Sequence, residues 1–240
     1  AARLRREANP EPKPASERFG SRCPICMEEW DVNNATTILP CCCRIICTQC
    51  APKISDQPCV ICHRVPLRTN SEVLVVIRRH IEQEVPEAIT HLAESYRDGA
   101  LGLVKSMKKA AKLYKRAVEL GDVSAMLGLG LFYASGQGVK LDMKKARQLW
   151  QMGADRGCAH SHYNLGLILR KEGNHDDAFR LFQIAADQGY TDAEEVIGRC
   201  YSMGEGVEVN FAEAKRWWER AAAKGDEHAT RNLLVLRNSS

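Results

Sequence analysis

The chain has 240 residues, of which 45% are hydrophobic and 27% charged, and its net charge of +4 comes from 34 basic and 30 acidic residues mixed along its length. This composition indicates a globular protein, and the mixed charge argues against nucleic-acid binding, which requires a concentrated basic face. The sequence has neither an apolar run of the roughly 18 residues that cross a bilayer nor a signal-peptide core, so we expect an intracellular protein, cytoplasmic or nuclear, without membrane insertion.

The first part of the chain combines a polar tail with a cysteine cluster. Residues 1–20 are rich in proline and charge, and we expect them to form a disordered tail. Nine of the 11 cysteines lie between Cys23 and Cys62. In the absence of a signal peptide, such a dense cluster favours metal binding over a disulfide framework.

Three pairs of cysteines in this cluster are each separated by two residues, and three consecutive cysteines lie between the first two pairs. Two intervening residues allow both thiolates of a pair to bind one tetrahedral zinc ion. Three pairs and two cysteines of the triplet provide eight ligands, which fill two closed, structural zinc sites. Zinc binding contributes roughly 10–16 kcal/mol per site, enough to fold a segment with few apolar residues. Four disulfides or free surface thiols are the alternative. The pairs are Cys23 and Cys26, Cys47 and Cys50, and Cys59 and Cys62, and the triplet is Cys41, Cys42 and Cys43.

The segments CPIC, PCCCRIICTQC and CVICHR resemble a RING finger of the all-cysteine kind. The resemblance implies a small cross-brace domain over residues 21–70, stabilised by two zinc ions that interleaved cysteine pairs hold. RING fingers of this subgroup have a glycine at the place of Cys43, which favours Cys41 and Cys42 as ligands; Cys43 in place of Cys42 is the alternative. By the same resemblance, the first zinc is held by Cys23, Cys26, Cys47 and Cys50, and the second by Cys59, Cys62 and two cysteines of the triplet.

RING fingers mostly recruit a ubiquitin-conjugating enzyme and position its ubiquitin thioester, so the resemblance implies catalysis by positioning, without a nucleophile on this chain. Ile25, Ile61 and Arg64 would then form the docking surface for the conjugating enzyme. Three features depart from the family pattern: the segment between Cys50 and Cys59 has only eight residues, it contains no tryptophan, and Val60 stands where a proline is usual. These departures count against ligase activity.

From Ser71 onward the sequence has a helical pattern and contains four internal repeats. Each repeat ends in a glycine, and these glycines are 36, 32 and 36 residues apart. A small residue, an aromatic residue and a second small residue stand 11, seven and four positions before each glycine, on one face of a helix. We therefore expect the aromatic residues to lie in the core. They are Tyr114, Trp150, Phe182 and Trp218, and the glycines are Gly121, Gly157, Gly189 and Gly225.

Each repeat also contains an earlier amphipathic helix, so each is a helix pair. Because one pair cannot bury its apolar face alone, the pattern predicts an all-α solenoid of helix-turn-helix repeats with capped ends. The segments ASGQGVKLDMKKARQLWQMGADRG and SMGEGVEVNFAEAKRWWERAAAKG resemble the Sel-one-like repeat, a relative of the tetratricopeptide repeat, which implies a protein-binding scaffold. We expect four units over residues 86–225, a linker helix over residues 71–85 and a capping helix over residues 226–240. Cys158 and Cys200 are expected to be small packing residues.

Two functions follow from these modules. The first is a RING-type ubiquitin ligase that recruits a ubiquitin-conjugating enzyme through the zinc finger and a protein substrate through the repeats. The order of the modules resembles predicted proteins of algae and related protists. The alternative is a non-catalytic zinc-binding adaptor in which both modules only bind proteins.

Overall fold

In a computed structural model of the chain, the described residues are 36–39, 44–47 and 69–238. The disordered tail predicted for residues 1–20 lies outside them, as does most of the RING domain predicted for residues 21–70. Two short strands of that segment are described: β1, Thr36–Leu39, pairs antiparallel with β2, Arg44–Cys47, so that Thr36 is opposite Cys47.

Ten α-helices of 12 or 13 residues follow one another in the described residues from 69 to 238. Each helix packs mainly on the next one along the chain, which is the contact pattern of a solenoid. The all-α solenoid predicted from the repeats is therefore confirmed. None of these helices is long and apolar enough to span a bilayer. The helices are α1 Asn70–Glu82, α2 Pro86–Asp98, α3 Met107–Glu119, α4 Val123–Ser135, α5 Met143–Ala154, α6 Ala159–Lys171, α7 His175–Asp187, α8 Thr191–Met203, α9 Phe211–Ala223 and α10 Glu227–Asn238.

The four units are the pairs α2 with α3, α4 with α5, α6 with α7, and α8 with α9, and we refer to α2, α4, α6 and α8 as the first helices. The first helices α2, α4 and α8 end at glycines with left-handed backbone, where a side chain would be strained. The glycines predicted to close the second helices also have positive φ, between 81° and 91°. Both helix ends of a unit are thus determined locally. Before the array, α1 packs on α2 with Ile77 fully buried, and after it α10 packs on α9 through Ala229.

The core positions predicted from the repeat pattern are confirmed. The aromatic residue seven positions before each closing glycine is at most 5% exposed in all four units. The small residues on either side of it are buried as well, so that neighbouring helices approach closely around one large ring per unit. The small residues are Ala110, Ala146, Ala178 and Ala214, and Ala117, Gly153, Ala185 and Ala221.

In the second, third and fourth units, the ring of the second helix packs against a glycine of its partner helix, a contact that the sequence pattern did not reveal. The rings of Phe182 and Trp218 lie so close to Gly166 and Gly198 that an added Cβ would come within 2.6 and 2.5 Å of ring atoms. The Trp218 indole Nε1–H also donates to the Glu195 carbonyl at 3.2 Å, which fixes the ring in the notch. We call this contact the glycine notch; Gly130 and Trp150 form the third example.

The first unit solves the same packing problem differently. Ala93, fully buried, stands at the position of the notch glycine, and the ring there is Tyr114. This ring approaches Gly128 of the next unit and packs edge-on against Phe132, with ring centroids 5.3 Å apart. Tyr114 therefore joins the first unit to the second.

We predict that Gly166→Ala lowers the free energy of unfolding by about 1–3 kcal/mol, because its methyl group overlaps the Phe182 ring. At a helix position with free space, the same change would instead stabilise the protein by roughly 0.5–1 kcal/mol. Urea unfolding followed by circular dichroism measures the difference.

Phe182→Leu makes room in the notch and therefore tests whether the overlap with the ring causes the loss. We expect the double variant Gly166→Ala, Phe182→Leu to lose less free energy of unfolding than the sum of the losses of the two single variants. The exposed change Lys112→Ala should leave stability nearly unaltered. Additive losses in the double variant would contradict the notch as the cause.

Candidate partner-binding surface

The residues predicted to bind zinc and the conjugating enzyme lie outside the described side chains. Only the backbone of Cys47, at the end of β2, is described. Within residues 69–237, whose side chains are described, no group of three or more His, Cys, Asp or Glu residues could hold a metal ion. The residues outside are the ligands Cys23, Cys26, Cys41, Cys42, Cys43, Cys47, Cys50, Cys59 and Cys62, and the docking residues Ile25, Ile61 and Arg64.

The first helices come into contact with one another along one side of the array. Thr90 of α2 donates its hydroxyl to the Asp122 carboxylate, the residue that caps α4, at 3.0 Å. Tyr163 of α6 packs against Tyr190, which precedes α8, with ring centroids 5.1 Å apart. Asn232 of α10 donates to the Glu195 carboxylate of α8 at 3.1 Å. These contacts make a continuous surface of successive units possible.

One row of partly exposed positions on this side changes its chemistry from unit to unit. Superposing the first helices at the notch position, which is Ala93 in α2 and a glycine in the others, brings the residue after it to the same place in each: Glu94, Leu131, Leu167 and Arg199. They are acidic, aliphatic, aliphatic and basic, whereas the notch position that precedes each of them is always a small residue, alanine or glycine. We call the surface around these four residues the first-helix face.

An aromatic cluster lies on the first-helix side between the third and fourth units. The His160 ring packs on Tyr190 at a centroid distance of 4.3 Å, and the Tyr190 hydroxyl donates to the Asp192 carboxylate at 2.9 Å. Burial lowers the pKa of His160, against a smaller opposing effect of Asp192. Burial also raises the pKa values of Tyr163 and Tyr190, so burial favours the neutral form of the histidine and of both tyrosines. Half-buried tyrosines of this kind suit contacts with a protein partner.

The opposite end of the array carries buried acidic groups. Asp122 accepts hydrogen bonds from the Thr90 hydroxyl and, at 2.5 Å, from the Ala125 backbone N–H. Burial nevertheless raises the pKa of Asp122 to about 6, because the hydrogen bonds only partly offset its desolvation. Burial also raises the pKa of Glu94 on the first-helix face, and the Asp122 carboxylate adds to that rise.

A buried ion group in the fourth unit joins two helices. Glu194 of α8 is fully buried and accepts from Arg220 of α9 at 2.8 Å, and its second oxygen lies 3.1 Å from the Lys224 ammonium. Since Lys224 also donates to the Gly189 carbonyl at 2.7 Å, the group ties the end of α9 to the start of α8. The first unit has fully buried Ile89 at the position of Glu194. We interpret the ion group as structural.

The two cysteines of the array have different surroundings. Cys200 is 2% exposed within the core, and burial raises the pKa of its thiol to about 11, so the thiol stays protonated. Cys158 precedes α6 as its N-terminal cap residue, and its side chain makes no capping hydrogen bond. The prediction that Cys200 is a packing residue is confirmed.

Comparison with known proteins identifies the repeats. The family model of the Sel1 repeat matches residues 86–122, 123–158, 159–190 and 191–226, and the third match is the short unit. The chain is 32% identical over 99 residues to DAP3-binding cell death enhancer 1 of Rattus norvegicus, covering 40% of this chain and 19% of that protein. It is 30% identical over 152 residues to chitin synthase regulator SKT5 of Saccharomyces cerevisiae, covering 59% and 22%. The chain thus spans about a fifth of the length of these relatives.

A solved structure supports the fold assignment. The Sel1 repeat protein of Oxalobacter formigenes is similar to this chain with a TM-score of 0.64 at 26% identity, and the similarity covers 68% of each chain.

We predict that Asp122→Asn alters how stability depends on pH. Because the folded-state pKa of Asp122 is raised to about 6 from 3.8, the folded protein binds this proton more tightly than the unfolded chain does. Stability from this group is therefore greatest below about pH 4 and falls as the pH rises to about 6, on the order of 2–3 kcal/mol in total. Asparagine keeps an oxygen that accepts from Ala125 and Thr90 but carries no charge.

Unfolding in urea at about pH 4 and about pH 7 measures this effect. From about pH 4 to about pH 7, the free energy of unfolding of the variant should rise relative to that of the wild-type protein. A difference between the two proteins that does not change with pH would show that Asp122 ionises normally in the folded state.

Proposed function

Because the chain belongs to the Sel1 repeat family, we propose that its array is a scaffold that binds protein partners through the first-helix face. The observation that carries the proposal is the row Glu94, Leu131, Leu167 and Arg199, which varies in charge and polarity on an otherwise repeated framework. Two relatives support it by their names, since one is a DAP3-binding protein and another a regulator of chitin synthase.

The physical properties of the array suit this role. Its helix pairs hold one another through buried rings, so the first-helix face is presented with little loss of backbone entropy on binding. The tyrosines of the aromatic cluster, Tyr163 and Tyr190, offer a large amphipathic surface. Near them, Arg199 Nη1 lies 3.7 Å from Glu195 Oε2 in an ion pair. Side chains of these types dominate the energy of protein interfaces.

We predict that Leu131→Glu and Arg199→Glu, both on the first-helix face, each remove partner proteins that co-purify with the full chain. Leu131 is 45% exposed and the Arg199 side chain 33% exposed, so the fold should tolerate both changes. Quantitative mass spectrometry of affinity-purified complexes measures the loss. Lys112→Glu, exposed on α3, is the matched control. Equal recovery of all partners from the three variants would contradict the proposal.

We further propose that the cysteine cluster holds two structural zinc ions. The thiolate pairs of this segment match the ligands and spacing that tetrahedral zinc uses. The hairpin geometry supports two separate sites. Strand β2 spans Arg44 to Cys47, about 10 Å at 3.3 Å per residue, so the triplet that precedes it and Cys47 at its end serve different ions. Zinc in such closed sites would contribute folding energy rather than chemistry.

Elemental analysis of the purified chain should find two zinc ions per molecule. We expect Cys26→Ser to reduce the number to one and Cys200→Ala to leave it at two. Comparing the zinc content of Cys42→Ser with that of Cys43→Ser identifies the ligand within the triplet, because only the loss of a ligand removes an ion. Chelation should abolish ordered structure in the first 70 residues while the helices persist. A metal-free chain that is ordered in this segment would contradict the proposal.

A ubiquitin ligase is the second candidate function, and the RING-like spacing of the cysteines favours it. In this proposal Ile25, Ile61 and Arg64 dock a ubiquitin-conjugating enzyme, and the array binds the protein substrate. The chain would accelerate ubiquitin transfer by holding two partners together.

We predict that ubiquitin chains form when the full protein is combined with a suitable member of a panel of conjugating enzymes. Ile25→Ala should reduce the rate at least tenfold without changing the zinc content, because it removes a docking contact and no ligand. Absence of activity with every conjugating enzyme would contradict the ligase and leave the scaffold as the function of the chain.

A further inference from the structure

A pocket of about 500 Å³ lies between the first and second units, away from the first-helix face. Its wall is the Tyr133 ring near the end of α4, and lysines from three elements surround it: Lys115 of α3, Lys140 of the loop after α4, and Lys145 of α5. The ammonium groups of Lys145 and Lys115 lie 5.3 and 6.0 Å from the centroid of the Tyr133 ring. Val139, Leu141 and Asp142 complete the lining. We call this the Tyr133 pocket.

The pocket carries more positive charge than its own residues neutralise. Lys145 is paired with Asp142 at 3.4 Å. Lys115 and Lys140 have no ion-pair partner within residues 69–237. Two ammonium groups at one concave site are thus available to an anionic ligand.

The fourth unit packs its loop on the preceding unit in the same way but lacks the three lysines. The loop after α4 packs Gly138 against the Met107 backbone at the start of α3, and the loop after α8 packs Gly206 against the His175 backbone at the start of α7. Sixty-eight positions after the three lysines stand Gln183, Glu208 and Glu213, and Tyr201 corresponds to Tyr133. The positive rim is therefore particular to the first site.

The second site is also filled. Phe179 of α7 packs edge-on against Tyr201, with ring centroids 5.5 Å apart. The corresponding residue of the first site is Ala111, which is buried and has no ring. One backbone arrangement thus carries a basic pocket at one place and, at the other, an acidic site with a ring packed against its tyrosine.

We propose that the Tyr133 pocket binds an acidic peptide segment of a partner protein, with its carboxylates at Lys115 and Lys140. Leu141, 58% exposed, lines the pocket beside Lys140, and Met143, 44% exposed, lies two residues before Lys145 in the chain. Both offer contacts for aliphatic side chains of the same segment. A peptide that alternates acidic and aliphatic residues complements both features. The site is distinct from the first-helix face, so its failure leaves the scaffold proposal intact.

The distribution of charge favours a peptide over a nucleic acid. Residues 105–147 contain ten basic and three acidic residues, whereas residues 172–219 contain four basic and 11 acidic ones. A long polyanion that followed the array would be repelled by its second half, while a short acidic segment need only contact the first. The apolar rim of the pocket also has no role in binding phosphates.

Binding to the full chain is measured by fluorescence anisotropy with a short labelled peptide of alternating glutamate and leucine. The matched probe has glutamine in place of glutamate. We expect the glutamate peptide to bind at least tenfold more tightly than the glutamine peptide, and its affinity to fall as salt is added. The triple variant Lys115→Gln, Lys140→Glu, Lys145→Glu, which installs the side chains of the second site, should weaken binding at least tenfold.

Two further variants separate the pocket from general charge. Lys215→Glu, Arg216→Glu makes nearly the same change in net charge on α9 and should bind as the wild-type chain does. Ala111→Phe introduces the residue that packs against Tyr201 in the second site, with all lysines in place, and should also abolish binding. Circular dichroism measures whether each variant is folded. If Ala111→Phe does not fold, the triple variant and its α9 control alone decide the test.

Three results would overturn the proposal. The first is equal binding of the glutamate and glutamine peptides, and the second is equal weakening by the triple variant and the α9 control. The third is that a single-stranded DNA oligonucleotide binds more tightly than the glutamate peptide and that the triple variant abolishes this binding. That result would assign the pocket to nucleic acid.

Discussion

The close packing of one aromatic ring against a partner-helix glycine is the contact on which the array depends. In the second, third and fourth units, a bulky ring from the second helix fills the space that a missing Cβ leaves on the first helix. Small residues one turn to either side of the ring let the helices approach closely around it. Close-packed interiors resist even one added methyl group, so this contact determines how each pair is assembled. The pairs then bury their remaining apolar surface only against neighbouring pairs.

This division between core and surface explains how one framework carries different chemistry at each unit. The ring, the notch and the closing glycines take up the interior positions, and the outward positions are free to vary. Along the first-helix face they pass from Glu94 to Arg199, and at the loops they produce a basic pocket at Tyr133 and an acidic, filled site at Tyr201. A scaffold built in this way can present separate surfaces to separate partners. The RING-like cysteine segment would add a further binding module at the other end of the chain.

Much of the array could be predicted because its signals are local. The spacing of Tyr114, Trp150, Phe182 and Trp218 before the closing glycines follows from the geometry of a single helix, and burial of the four rings confirms it. The notch could not be found in this way. Gly130, Gly166 and Gly198 look like weak points of a helix, and their purpose appears only when a ring 20, 16 or 20 residues later packs against them. The Tyr133 pocket likewise combines Lys115 of the first unit with Lys140 and Lys145 of the second, which come together only once the units are stacked. The zinc ligands and docking residues stay predictions, since they lie outside the described residues.

Native-state hydrogen exchange on the full chain tests the central role of the glycine notch most directly. If the notches hold the units together, the backbone amides around Gly130, Gly166 and Gly198 exchange only when the array unfolds globally, with the highest free energy of opening. The amides of α1 and α10 then exchange through local unfolding, with lower free energies of opening. The account is contradicted if the amides around the three notch glycines exchange as readily as those of the two terminal helices.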